Sequence, residues 1–241
     1  MRLLSYNIHK GIGGRDRKYL LERIIEVIRG EEPDIVCLQE VDQGVHRSED
    51  HDQPRLLSEG CGLAYHAYQL NVPIRKGGYG NLILSRWPMH EAHDVCLRFQ
   101  NRKPRAAQYV IVETPEGQLS LVNWHLGLTG RERNWQARQL LKHTLLQTNA
   151  HLPTVIAGDA NDWRDHLPQR VFTHHSFHMA TTPAARFRSF PAMWPVLALD
   201  KIFVRGGVVV EKVCVVSTPL ARRASDHLPV VIDFKLTSVI K

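Results

Sequence analysis

Ala224-Ser225-Asp226-His227-Leu228-Pro229, followed directly by Val230-Val231-Ile232, sets a carboxylate and an imidazole side by side at the mouth of a buried strand. Such groups are costly to bury unless they have partners. Strand neighbours point to opposite faces, so Asp226 and His227 share a site only if the chain is still turning there. Ser225 and Pro229 are the residues of such a turn. A polar strand entrance with a solvated Asp and His would look the same locally. The distinction comes from the rest of the chain, which repeats the arrangement.

Leu3 to Ile8 reads as a strand ending in Asn7-Ile8-His9-Lys10-Gly11, and Leu20, Leu21, Ile24, Ile25 and Ile28 mark one face of a helix that Gly30 and Pro33 stop. Ile35 to Val41 is a continuous apolar run of the kind a doubly buried strand shows, interrupted by Glu40. A short helix is expected near Arg55 to Cys61 and a strand at Tyr65 to Leu70. Gly77-Gly78-Tyr79-Gly80 reads as a flexible turn before the strand Asn81 to Ser85. Ala106 to Glu113 and Leu119 to His125 form a hairpin, and Arg131 to Thr148 a helix. Thr154 to Ala157 is a strand that stops at Gly158-Asp159-Ala160-Asn161. A helical piece is expected near Leu167 to Phe172, and strands at Leu197 to Val204, Val208 to Val216 and Leu228 to Phe234. No linker-like or charged block divides the 241 residues, so residues 1–241 are expected to form a single domain.

Laid side by side, the strands expose a pattern. Asn7, Glu40, His125, Asp159 with Asn161, Asp200, and Asp226 with His227 each sit in or at the end of a short apolar run. One such residue could be a satisfied core polar group, but many placed alike are better explained by strands delivering them to one wet cleft. The inventory is carboxylates, carboxamides and two histidines. Oxygen-rich sites of this kind suit Mg²⁺ or Mn²⁺, and histidine with carboxylates supplies acid–base chemistry near neutral pH. Together they suit metal-assisted attack of water on a phosphoester.

Tyr6-Asn7, Leu38-Gln39-Glu40, Gly80 to Ser85, His125-Leu126, Gly158-Asp159-Ala160-Asn161, Leu199-Asp200-Lys201-Ile202-Phe203-Val204 and Ser225-Asp226-His227 resemble, in order, the motifs of the endonuclease/exonuclease/phosphatase (DNase I-like) superfamily. The match spans residues 3 to 234. The resemblance implies an α/β (α+β) four-layer sandwich, two packed mixed β-sheets flanked by helices. It implies that Glu40, with Asn7 and Asp226, holds the divalent metal. His227, oriented by Asp200, would handle the proton of the attacking water or stabilise the phosphorane. Asp159 would activate or orient the nucleophile, and Asn161 and His125 would bind phosphoryl oxygens. Arg105 occupies a phosphate-contacting position in some relatives. Tyr79 and Lys10 are further candidates for substrate phosphate.

The substrate is where the resemblance ends. Asn7-Ile8-His9-Lys10-Gly11, His125-Leu126-Gly127-Leu128 and Asp159-Ala160-Asn161-Asp162-Trp163 resemble a small bacterial branch, and His9-Lys10 departs from the AP endonucleases. The net charge of +7 favours an anionic partner, but the positive charges are dispersed. The expected function is therefore a Mg²⁺- or Mn²⁺-dependent phosphodiesterase or phosphomonoesterase, with a small or lipid phosphoester favoured. A DNA or RNA nuclease and a non-catalytic phosphate-binding relative are the alternatives. No stretch of about 18 apolar residues occurs, and no C-x-x-C spacing appears among the four cysteines. A soluble, cytoplasmic monomer without disulfides is expected.

Overall fold

The fold was described from a computed structural model of the chain, which describes residues 1–167 and 171–237. The helical piece expected over 167–172 falls in part on 168–170, which lie outside the described residues.

Among the described residues, twelve strands form two six-stranded mixed sheets. The first sheet contains β1 (Arg2–Asn7), β2 (Ile35–Gln43), β3 (Tyr65–Pro73), β4 (Gly78–Ser85), β11 (Val208–Val215) and β12 (Val230–Leu236), ordered β11-β12-β1-β2-β4-β3. The second contains β5 (Met89–Cys96), β6 (Ala106–Thr114), β7 (Gly117–His125), β8 (Thr154–Asp159), β9 (His178–Met179) and β10 (Asp200–Arg205), ordered β5-β6-β7-β8-β10-β9. Each has one parallel pair near its centre, β1 with β2 and β7 with β8, among antiparallel neighbours. Parallel neighbours need a crossover. It is α1 (Leu21–Gly30) in the first sheet, and α3 (Gly130–Lys142) with α4 (Thr144–Thr148) in the second.

The layering follows from strands that are apolar on both faces. Leu3, Ile35, Cys37, Ile83, Val155, Ile202 and Val230 point inward and meet in one core between the sheets. Their neighbours Leu4, Val36 and Leu38 point outward and pack on α1, on Leu57 of α2 (Gln53–Cys61) and on α5 (Ala221–Ala224). Val122, Trp124, Ile156 and Phe203 pack outward on α3 and α4. Alternation with period two therefore builds three apolar layers between four structural ones. Local signals position the helices. Asp52 caps α2, accepting from the Arg55 amide, and Thr129 caps α3, accepting from the Glu132 amide.

Several elements differ from the sequence reading, among them the short β9 and α5, which it lacks. Gly78-Tyr79-Gly80 is strand, not turn: Asp42 pairs with Tyr79, and Val41 with Gly80. The glycines serve close strand approach, since a Cβ on Gly80 would lie 1.7 Å from the Gln69 carbonyl oxygen. β5 was not foreseen because it is an exposed polar edge strand without apolar alternation. The helix expected over Arg131 to Thr148 breaks at His143, which is extended (ψ 135°). The strand expected from Leu197 begins at Asp200.

β12 pairs with β1, and the inter-sheet core draws on residues from Leu3 to Phe234. A single cooperative unfolding transition is therefore expected. Limited proteolysis that released a separately folded half would contradict it.

Candidate active site

Strand register brings the polar residues to one edge. Asn7, the last residue of β1, lies beside Gln39, next to Glu40 at a bulge within β2. His125 lies beside Asp159 and Asp159 beside Asp200, where β7 and β8 end and antiparallel β10 begins. Arg105 precedes β6, whose Ala106 pairs with His125. Asp226 and His227 precede β12, antiparallel to β1.

Side chains then bridge the two sheets. His227 Nδ1 lies 2.9 Å from Asp200 Oδ2, and its Nε2 lies 3.8 Å from Asp159 Oδ2. Asn7 Nδ2 donates to Asp159 Oδ2 at 3.1 Å, and the Asn161 amide donates to Asp159 Oδ1 at 3.0 Å. Burial opposes charge on His227, but the carboxylates of Asp200 and Asp159 outweigh it and raise the imidazole to about 10. Burial holds Asp159 above the ordinary carboxylate range, with His227 pulling the other way.

His125 is different. Its Nε2 accepts from Arg105 Nη1 at 2.8 Å, since a guanidinium only donates, and lies 3.3 Å from Asp159 Oδ2. Burial, reinforced by Arg105, pushes His125 well below its ordinary value, so the ring is neutral. Arg105 is itself buried, which a solvated surface arginine would not be.

Glu40 sits at a bulge in β2 with φ of 58°, in the left-handed region. Burial raises its carboxyl, but the Lys10 ammonium, bonded to Oε2, outweighs that and holds it down at about 2. His9 and Lys10 also have positive φ (46° and 64°), and Gly11 completes the turn (φ 74°). His9 and Lys10 are non-glycine residues held left-handed in succession, which costs energy, whereas Gly11 adopts that conformation freely. The turn sends Lys10 to Glu40 and sets His9 Nδ1 3.9 Å from Asp226 Oδ1. Lys10 is thus engaged by a carboxylate, and its Nζ lies 5.4 Å from the centre of the buried Tyr79 ring. Arg47 and Lys103 flank the same ring at 5.2 and 5.1 Å.

Glu40, Asp226 and the Asn7 carboxamide offer oxygens. Among the described residues no three His, Cys, Asp or Glu side chains group into a cage. A deeply ionised Glu40 that already attracts a cation fits a hard divalent ion bound largely through carboxylate, carboxamide and water.

Several supporting residues were not foreseen. Ser189 donates to Asp200 Oδ2, and Phe190 packs on the His227 ring with centroids 4.9 Å apart. Ser225 Oγ donates to the Asn7 carbonyl and accepts from the His227 amide. Arg133 pairs with buried Asp162 at 3.5 Å and donates to the Leu128 carbonyl, tying the loops after β7 and β8 together. Behind the site, Gln39 Nε2 donates to Asn123 Oδ1 at 2.8 Å, and Asn123 Nδ2 donates to the carbonyls of Leu38 and Leu82. The only signal for this seam was carboxamides inside apolar strands.

The sequence profile of the Endonuclease/Exonuclease/phosphatase family matches residues 4–227. The chain belongs to the endonuclease/exonuclease/phosphatase family. Within reach of that family stands the uncharacterized protein YbhP of Escherichia coli K12, 28% identical over 254 residues, covering 98% of this chain and 96% of YbhP. An endonuclease/exonuclease/phosphatase from Beutenbergia cavernae has a similar structure, with a TM-score of 0.78 at 25% identity over 98% of this chain and 71% of that one. The mannosyl-6-phosphatase of Bacteroides thetaiotaomicron shares the fold with a TM-score of 0.73 at 17% identity, over 97% of this chain and 99% of its own.

Proposed function

We propose that the chain is a Mg²⁺- or Mn²⁺-dependent phosphoesterase that hydrolyses a phosphodiester or phosphomonoester by attack of water, a small or lipid phosphoester being favoured. The observation that carries it is the convergence of His227, Asp159, Asn7 and the Arg105–His125 pair across the sheet edge. Family membership supports the reaction class.

Asp159 would accept a proton from the attacking water; Asn7 Nδ2 and the Asn161 backbone amide, which donate to its two oxygens, support this role. His227, kept protonated by Asp200, would neutralise charge developing on a phosphoryl oxygen. Arg105, fixed by neutral His125, presents its guanidinium to another phosphoryl oxygen. Asn161, whose Nδ2 donates to the Leu126 carbonyl, holds the loop that carries Asp159. Glu40, Asn7 and Asp226 would hold the metal, which when bound polarises the phosphoryl group. Lys10 and Tyr79 border that cluster on the Glu40 side.

A panel of soluble phosphoesters, phospholipids and nucleic acids with Mg²⁺ or Mn²⁺ tests this, against a His227→Gln control. Hydrolysis of at least one phosphoester that the control lacks is expected; none would refute the reading. On a soluble phosphoester the rate should change little between about 50 and 200 mM salt. A drop of orders of magnitude on plasmid DNA over that range, with His227 required, would put a nuclease first.

A further inference from the structure

The four most exposed large apolar side chains among the described residues are Trp194 (76%), Leu128 (71%), Val196 (60%) and Trp163 (49%). All four lie on loops that leave the edge carrying the candidate site. Leu128 follows β7, whose last residue is His125; Trp163 follows β8, whose last residue is Asp159. Trp194 and Val196 lie between Ser189, bonded to Asp200, and the start of β10. The Trp194 loop is anchored beside His227, because the Ala192 amide donates to the Asp226 carbonyl at 2.7 Å. Arg133 ties the Leu128 loop to the Trp163 loop. Solvent-facing tryptophans scattered singly need no explanation, but four apolar side chains collected around one cleft do.

The exposed charged side chains on these loops are arginines among the described residues. Arg164 stacks on Trp163, 4.3 Å from the ring centre, and Arg131, Arg186 and Arg188 are exposed on the same loops or just beside them. Of the acidic residues next to them, Asp162 pairs with Arg133, Asp165 pairs with Lys201, and buried Glu132 accepts from Gln136. Residues 166–199 contain no Asp or Glu at all. At the foot of the Trp194 loop a cavity of about 260 Å³ opens between Pro191, Met193 and Asp226. Indole rings with cations beside them are the side chains that settle at the headgroup level of a bilayer, and basic residues add attraction to anionic lipid.

We propose that this rim docks the chain on the surface of an anionic phospholipid bilayer, so that the cleft opens onto lipid headgroups. What it says about substrate, a phosphoester presented by that surface, rests on the phosphoesterase reading above; the docking itself does not. A surface held by side-chain insertion and charge is peripheral and reversible. No described helix is long and apolar enough to cross a membrane.

The test is co-sedimentation with vesicles of phosphatidylcholine alone and of phosphatidylcholine mixed with phosphatidylglycerol. Wild type, His227→Gln, a Leu128→Ala/Trp194→Ala double variant and Trp194→Phe are compared. Wild type and His227→Gln should sediment with the phosphatidylglycerol vesicles. The double variant should lose binding by roughly tenfold or more, as loss of inserted apolar area requires. Trp194→Phe should keep most of it. The double variant's Tm and its hydrolysis of a short soluble phosphoester should be unchanged. Absence of wild-type sedimentation overturns the proposal, as does a double variant that binds like wild type. So does a wild-type dimer that the double variant abolishes, since the rim would then be a contact between copies. Vesicle binding with the expected pattern but no hydrolysis of any phosphoester upholds the docking surface and refutes the phosphoesterase reading.

Discussion

His227→Gln should lower kcat/KM by at least about 10³-fold, at a smaller cost in stability than His227→Ala. His227 faces both buried carboxylates of the second sheet, Asp200 at 2.9 Å and Asp159 at 3.8 Å. Its charge depends on them. Burial would strip the proton, and the two carboxylates keep it. Gln can still donate to Asp200 but cannot carry that charge toward a phosphoryl oxygen, so the loss should fall on kcat. His227→Ala is a poorer test, because it leaves buried Asp200 with neither a cation nor a donor on that side, at a cost of about 3–5 kcal/mol. Asp200→Asn should lower kcat by about 10²–10⁴-fold, as removal of an imidazole's orienting carboxylate does. Ser189 holds that carboxylate from the other side. Steady-state kinetics beside thermal melts separates the two effects. A His227→Gln enzyme within tenfold of wild type would remove His227 from the chemistry.

The second large effect is metal dependence. Activity should vanish in EDTA and return with Mg²⁺ or Mn²⁺. Glu40→Gln should raise the Mg²⁺ concentration for half-maximal rate by roughly 10–100-fold, because a hard cation needs the anionic oxygen and a carboxamide gives only a dipole. Glu40 is suited to that role by its backbone. The bulge that gives it φ of 58° sets its side chain near Lys10 at the sheet edge, not in register with the strand's two faces. Full activity in exhaustively chelated protein would sink this part of the account. So would a Glu40→Gln variant with unchanged Mg²⁺ demand.

The polar residues at strand ends were legible because each interrupts an apolar run: Asn7 after Leu3 to Tyr6, Asp159 after Thr154 to Ala157, Asp200 before Ile202 to Val204. Their register follows from strand alternation, which the sequence carries. What it does not carry is contact between residues far apart in the chain. Ser189 and Phe190 flank the His227–Asp200 pair only after the loop before β10 has folded over it. The Gln39–Asn123 seam joins strands 84 residues apart. Tyr79 was misread because glycines that permit close strand approach look, in one dimension, like glycines that permit a turn. Nor does a Trp announce its exposure: Trp124 is wholly buried and Trp194 is 76% exposed.

The central claim is that water attacks phosphorus in this cleft. Hydrolysis of a phosphoester by the Mg²⁺-loaded chain in water labelled with oxygen-18, followed by mass spectrometry of both products, tests it directly. The label should appear in the phosphate product, at a rate that collapses in His227→Gln. Label in the alcohol product, or phosphate release that His227→Gln leaves unchanged, would contradict it.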